Sequence, residues 1–251
     1  MVLYEYPFNE SIRTMLRLEH LFSRLDTLAA RDAPMDHHFA LVSIFEIMDV
    51  ASRADLKSDL LKELERHKNQ LLAYRGNPNV SEAALDEVVA RIDRVHLGLN
   101  KFAGKAGQSL TANDWLMSIR SRISIPGGTC EFDLPAYYAW QQYSPERRRA
   151  DLSHWIESLG PICEGLRLLL DMLRDSGVPH KVMAASGQYQ QALPQGRSYQ
   201  LLQLRLDDAL DLVPEITGHR LMVSVRLMKT DGEGRLKPCA SDVAFDLALC
   251  T

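Results

Sequence analysis

The chain has 251 residues, 46% hydrophobic and 25% charged, with 29 Lys/Arg against 33 Asp/Glu for a net charge of −4. This is the composition of a folded globular protein with an ordinary core, and it does not require long disorder. The overall charge recommends neither nucleic acid nor an anionic membrane as partner.

From Gly177 onward eight Lys/Arg match eight Asp/Glu, leaving 21 (29 less 8) against 25 (33 less 8) before it. Any basic site must therefore come from local clustering. The four cysteines, Cys130, Cys163, Cys239 and Cys250, include no CxxC pair. Free thiols are expected, with neither metal nor disulfide. The opening MVLYEYPFNESIR lacks a basic segment followed by an apolar one, so no signal peptide is expected. No apolar run reaches the roughly 18 residues that a membrane span needs. The expectation is a soluble cytoplasmic protein without membrane insertion.

Val2 to Tyr6 reads as a strand ended by Pro7, and Asn9 can cap a helix running to about Ala30. Met15, Leu18, Phe22 and Leu25 recur there at spacings of three and four, the mark of one buried helical face. A second helix fits Asp36 to about Arg53, and a third Asp55 to Tyr74, punctuated by Gly76 and Pro78. Ser81 opens a fourth, with Glu82, Asp86 and Glu87 near the positive end of its dipole. Phe102 to Ser109 reads as irregular. Thr111 with Asp114 resembles a capping box for a helix containing Trp115, Leu116 and Ile119. A short helix fits Leu134 to Tyr143, and Ser144-Pro145-Glu146 then signals another N-terminus. Two further helices, about 145–159 and 162–175, are separated by Gly160-Pro161.

After Gly177 the period becomes two. Leu202, Leu204 and Leu206 alternate with polar residues, as do Leu221, Val223, Val225 and Leu227, then Val243, Phe245, Leu247 and Leu249. Such alternation predicts half-buried antiparallel strands. The fold class is α+β: a multi-helix domain over 8–176, then a small antiparallel β domain over 177–251. A lone first strand is not stable, so strand 2–6 is expected to pair with the C-terminal sheet.

No residue pattern marks a catalytic centre or calls for a cofactor. Ser124-Ile-Pro-Gly-Gly-Thr129 lacks the GxxxxGK[ST] of a phosphate loop, and Pro126 removes an amide, so a tight structural turn is expected. His37 and His38 are adjacent and diverge on a helix, which does not suit a metal pair. The informative feature is a stripe: Arg13, Arg17, His20 and Arg24 line one face of the first helix, opposite its apolar face. Arg220 and Arg226 share the polar side of one strand, while Arg120 and Arg122 lead into the Gly-Gly turn. If these surfaces meet they form a basic cleft, better suited to an acidic peptide than to a duplex, since the Arg fork grips carboxylates. The run Arg147–Arg149 reads as an ordinary solvated patch.

VLYEYPFNESIRTMLRLEHL, IRSRISIPGGTCEFDLPAYYAW, PEITGHRLMVSVRLM and FDLALC, in that order, resemble segments of the ZapD family of cell division factors. The resemblance spans nearly the whole chain. It implies a helical domain plus a β domain, a homodimer, no catalytic centre, and mid-cell localisation. It also implies that a positively charged cleft binds the C-terminal tail of FtsZ and that the protein bundles FtsZ filaments. Carried over residue by residue, the cleft contains Arg13, Arg17, Arg53, Arg120, Arg122, Arg220 and Arg226. The alternative function is a nucleic-acid-binding module using the same arginines on phosphates. The absence of a helix-turn-helix, RRM or zinc motif counts against it.

Overall fold

The strand at the start of the chain finds its partner near the end. A computed structural model describes residues 1–52, 56–101 and 107–251. The fold is α+β, as the sequence predicts. It packs as two units, Met1–Met15 with Leu170–Thr251 and Leu16–Leu169, whose dividing lines fall inside the helices α1 (Glu10–Ala29) and α9 (Gly160–Asp175).

In the helical unit, Leu18, Phe22 and Leu25 of α1 are buried as the spacing predicts. Helix α2 (Pro34–Ser52) is apolar nearly all round, with Ala40, Leu41, Ile44, Phe45, Ile47 and Met48 buried, as befits a central helix. Helices α3 (Leu56–Leu72) and α4 (Glu82–Lys101) are the opposite case. Each buries a thin stripe, Leu56, Leu60 and Leu64 on α3 and Leu85, Ile92 and Leu99 on α4. Their exposed flanks are joined by Lys68–Asp93 at 2.6 Å and Arg75–Asp86 at 2.5 Å.

The short α5 (Gln108–Thr111) precedes α6 (Asp114–Arg122) and corrects the expected capping box. Thr111 ends α5 with its hydroxyl on the Gln108 carbonyl, and Asn113 is the cap, its Oδ1 accepting from the Leu116 amide at 3.1 Å. Asn holds this place as well as Thr does. Helices α7 (Pro135–Gln141) and α8 (Pro145–Glu157) follow, the latter capped by Ser144. Gly160 and Pro161 do not separate α8 from α9 but open α9, where the missing proline N–H has no partner to lose. Trp115, Tyr137, Trp140 and Trp155 form one aromatic cluster, with ring centroids 5.4 Å apart for Trp115–Trp155 and 5.9 Å for Tyr137–Trp140.

The β unit holds two sheets rather than one. The first has the order β1-β4-β8-β2, from Val2–Pro7, Leu201–Leu206, Val243–Cys250 and His180–Ala184. In the second, β6 (Met222–Thr230) pairs with β3 (Gln188–Ala192), β5 (Leu212–His219) and β7 (Leu236–Pro238). All pairings are antiparallel. Leu202, Leu204, Phe245 and Leu247 of the first sheet share one apolar core with Val223, Val225 and Leu227 of the second. Tyr189 meets Phe245 edge-on across it, at 5.6 Å. Gly177 follows α9 because a Cβ there would lie 2.6 Å from Cys250 Sγ. The four thiols are free; Cys250 is buried, and burial pushes its pKa up to about 11.

Strand β1 pairs with β4 from Val2↔Leu206 to Pro7↔Leu201. Its side chains add further ties. Arg174 grips Glu5 with two hydrogen bonds, at 2.9 and 2.8 Å, and Gln203 donates a third at 3.0 Å. Burial raises the Glu5 pKa, but the hydrogen bonds from Arg174 and Gln203 outweigh it and hold the carboxyl below its ordinary value. Tyr6 Oη accepts from the Gly218 amide at 3.1 Å, and a Cβ at Gly218 would strike Phe8 at 2.6 Å. Deleting Met1–Tyr6 is therefore expected to cost the β unit about 3 kcal/mol or more, since it strips Arg174 of a partner and bares the β4 edge. Urea unfolding and amide exchange in β4 and β8 measure this; unchanged values would show that the strand merely lies on the sheet.

Candidate functional site

Asn9 starts α1, its Oδ1 accepting from the Ile12 amide at 2.8 Å, and this cap sets the rotation of the arginine stripe. Met15 and Leu18 face inward while Arg17 and His20 are exposed. Arg13 is half-buried, with Nε on Glu10 Oε1 at 3.0 Å, an i,i+3 pair in solvent that holds it weakly. Arg24 leaves the stripe. Its Nε donates to Ser43 Oγ at 2.9 Å and its Nη2 to Glu46, both on α2. What remains of the stripe is Arg13, Arg17 and His20, with Arg13 paired to Glu10.

Arg120 and Arg122 end α6 just before the Ser124–Thr129 turn, and that turn is structural, as expected. The Arg122 carbonyl accepts from the Ile125 amide and the Ile125 carbonyl from the Gly128 amide, each at 2.9 Å. Gly127 has φ 71°, and a Cβ on Gly128 would lie 2.7 Å from the Arg122 carbonyl oxygen. The two glycines therefore let the chain close over the end of α6, with the Ile125 and Gly128 amides turned to carbonyls of the turn itself. Arg120 is half-buried and ion-paired with Asp49 of α2, while Arg122 is exposed, 3.9 Å from Asp133. With five N–H donors each, both retain capacity for a ligand.

On the β unit, the strand assignment of Arg220 needs correction. Strands β5 and β6 pair through His219↔Met222, so Arg220 and Leu221 are the two-residue turn between them. Leu221 is correspondingly 51% exposed rather than buried. Arg226 does lie on β6, exposed between buried Val225 and Leu227, with Glu215 and Gln188 as cross-strand neighbours. Among the described residues, the side chains of Arg17, Arg220 and Arg226 make no hydrogen bond or ion pair. Arg53 lies outside the described residues. The predicted site residues thus form three groups: Arg13 with Arg17 on α1, Arg120 with Arg122 at the end of α6, and Arg220 with Arg226 on the β5–β6 hairpin.

The profile of a family of cell division proteins, ZapD, matches residues 16–226. Cell division protein ZapD of Ralstonia nicotianae (strain ATCC BAA-1114 / GMI1000) is 53% identical over 251 residues, covering 100% of this chain and 99% of that protein. Its counterpart in Cupriavidus pinatubonensis (strain JMP 134 / LMG 1197) is likewise 53% identical, with the same coverage. That of Janthinobacterium sp. (strain Marseille) is 49% identical, with 100% of both chains covered. The chain belongs to the ZapD family of cell division proteins. The matched ZapD region includes Arg17, Arg120, Arg122, Arg220 and Arg226, and Arg13 lies just before it.

One arginine of this ZapD-family chain corrects the sequence reading outright. Arg148, expected in a solvated patch, is 3% exposed. Its Nε donates to His37 Nδ1 at 2.9 Å, Nη1 to the carbonyls of Gln141 (2.9 Å) and Tyr143, and Nη2 to the carbonyl of Asp32. His37, fully buried, lies 2.6 Å from the Arg31 carbonyl through Nε2. With Nδ1 accepting, the ring is neutral and its proton sits on Nε2. Burial, then the charge of Arg148, pushes the His37 pKa down, although the Arg31 carbonyl opposes them. The neighbours of Arg148 are surface residues: Arg147 stacks on Tyr143 at 3.6 Å and Arg149 pairs with Asp32. His38 makes a separate bond, Nδ1 to Tyr137 Oη at 2.7 Å. Both histidines are thus framework groups of the helical unit.

Proposed function

We propose that this chain binds the C-terminal tail of FtsZ through Arg13, Arg17, Arg53, Arg120, Arg122, Arg220 and Arg226. As a homodimer it then crosslinks FtsZ filaments at the mid-cell division site in the cytoplasm. One observation carries the reading. Arg24 and Arg120 are committed within the protein, whereas Arg17, Arg220 and Arg226 stand exposed without a side-chain partner among the described residues of a net-acidic chain. Exposed, uncommitted Arg forks suit carboxylates. The chain contributes no chemistry of its own; FtsZ supplies the polymer and hydrolyses GTP, and bundling lowers that activity indirectly.

Two tail sites per dimer are enough for crosslinking. Each filament presents many tails, so the second contact is effectively intramolecular and a modest single-site affinity suffices. A variant held monomeric is therefore expected to bind a synthetic FtsZ tail like the parent and to lose bundling in a sedimentation assay. Bundling by a verified monomer would sink the dimer mechanism. Capture of nucleic acid that nuclease treatment abolishes, with no peptide binding, would favour the phosphate-binding alternative.

A further inference from the structure

The β5–β6 turn forms one wall of a hollow of about 610 Å³ that lies wholly within the β unit. The opposite wall is the loop joining β3 to β4. Pro194, Arg197, Ser198, His219, Arg220 and Leu221 line it. Its size is that of a small-ligand or side-chain pocket. Its walls are fixed: the Leu193 amide donates to the Leu221 carbonyl at 2.8 Å, which ties the loop to the hairpin turn. Gly196, at φ 94°, takes a conformation closed to other residues and reverses the loop just before Arg197. His219 Nδ1 accepts from the Leu221 amide at 3.3 Å, which leaves Nε2 as the donor.

Arg197, Arg220 and His219 Nε2 thus offer donors to the hollow. Arg197, like Arg220, makes no hydrogen bond or ion pair among the described residues. Two unsatisfied guanidiniums in one hollow repel each other and attract an anion, while Pro194 and Leu221 add an apolar wall. We propose that this hollow is a carboxylate pocket, in which Arg197 and Arg220 grip one acidic group of a protein partner and Pro194 and Leu221 receive the apolar side chain beside it. The proposal rests on the tail-binding reading and deepens it by adding Arg197, with His219 as a further donor.

The test is titration of a labelled synthetic FtsZ tail peptide into the full chain and into Arg197→Gln, Arg197→Lys and the control Arg235→Gln. Arg197 is exposed and makes no bonds, so its variants should melt like the parent. Arg197→Gln is expected to weaken binding at least about tenfold, Arg197→Lys less, and Arg235→Gln not at all. Replacing the acidic residues of the peptide with their amides should abolish the difference between parent and Arg197→Gln. If the parent binds the peptide and Arg197→Gln binds it equally well, the pocket assignment fails and the tail-binding reading stands. If the parent does not bind the peptide, both fall. If inorganic phosphate at low millimolar concentration binds the parent but not Arg197→Gln and leaves the peptide in place, the pocket is a phosphate site and the carboxylate assignment is overturned.

Discussion

Replacing Arg148 with methionine is expected to lower the stability of the helical unit by about 3–5 kcal/mol, a large share of the roughly 5–15 kcal/mol typical of a folded protein. Methionine keeps the unbranched apolar stem of the side chain but restores none of its bonds. His37 Nδ1 and the carbonyls of Asp32, Gln141 and Tyr143 would lose their donor together. Each buried group left unpaired costs about 1–3 kcal/mol. All three tryptophans, Trp115, Trp140 and Trp155, belong to this unit, so their fluorescence follows its unfolding in urea. Arg147→Glu, one position away, loses only a stacking contact on Tyr143 and should cost about 0.5–1 kcal/mol. A midpoint for Arg148→Met equal to that of the parent would show that water replaces the guanidinium without penalty.

The same site sets an acid limit. The folded state holds His37 below its ordinary pKa, so between that value and about 6.5 the unfolded chain binds the extra proton. Stability from this group is complete above about pH 6.5 and falls as the pH drops through that window. Burial lowers the pKa of His38 as well, so it adds to the slope. In Arg148→Met the charge opposing His37 protonation is gone, and the acid slope should be shallower.

What the sequence revealed depended on where each element sits. Strands β4, β6 and β8 carry strict alternation because they are flanked on both sides and must fill the core. Edge strands escape that demand. Strand β3 turns only Tyr189 and Gln191 inward, and β5 interrupts inward Leu212 and Ile216 with Pro214 and Gly218, so the apolar period is weak in both. Helices α2 and α3 were legible for opposite reasons, one nearly all apolar, the other a single stripe. The arginines were the least legible, because periodicity reports which face a side chain leaves from, not what it meets. Arg24 meets Glu46, Arg120 meets Asp49, and Arg148 meets His37 and the Asp32 carbonyl, all contacts between residues distant in sequence. Local punctuation was better read: Asn9 and Ser144 cap their helices, and the glycines of Ser124–Thr129 make a turn.

Arg17→Glu is expected to weaken tail binding by well over tenfold without disturbing the fold. The side chain is exposed and makes no bond within the described protein, and buried Met15 and Leu18 hold the opposite face of α1. Losing a charge-assisted hydrogen bond costs about 1.5–3 kcal/mol, or ten- to hundredfold in affinity, and charge reversal adds repulsion. Arg226 should act in the same direction, but its probe must differ. Glu215 lies directly across from it on β5, so a glutamate there would set two like charges opposite each other and strain the sheet by up to about 1 kcal/mol. Arg226→Gln removes the charge without that side effect and should cost about tenfold. Raising the salt from about 0.05 to 0.5 M should weaken the parent more than either variant, since each has one attraction fewer to screen. Arg147→Glu, a charge reversal of equal size on the surface of α8, is the control, with circular dichroism confirming that every variant is folded. If Arg17→Glu and Arg226→Gln then bind the peptide and bundle filaments as Arg147→Glu does, the tail lies neither on α1 nor on the β5–β6 hairpin.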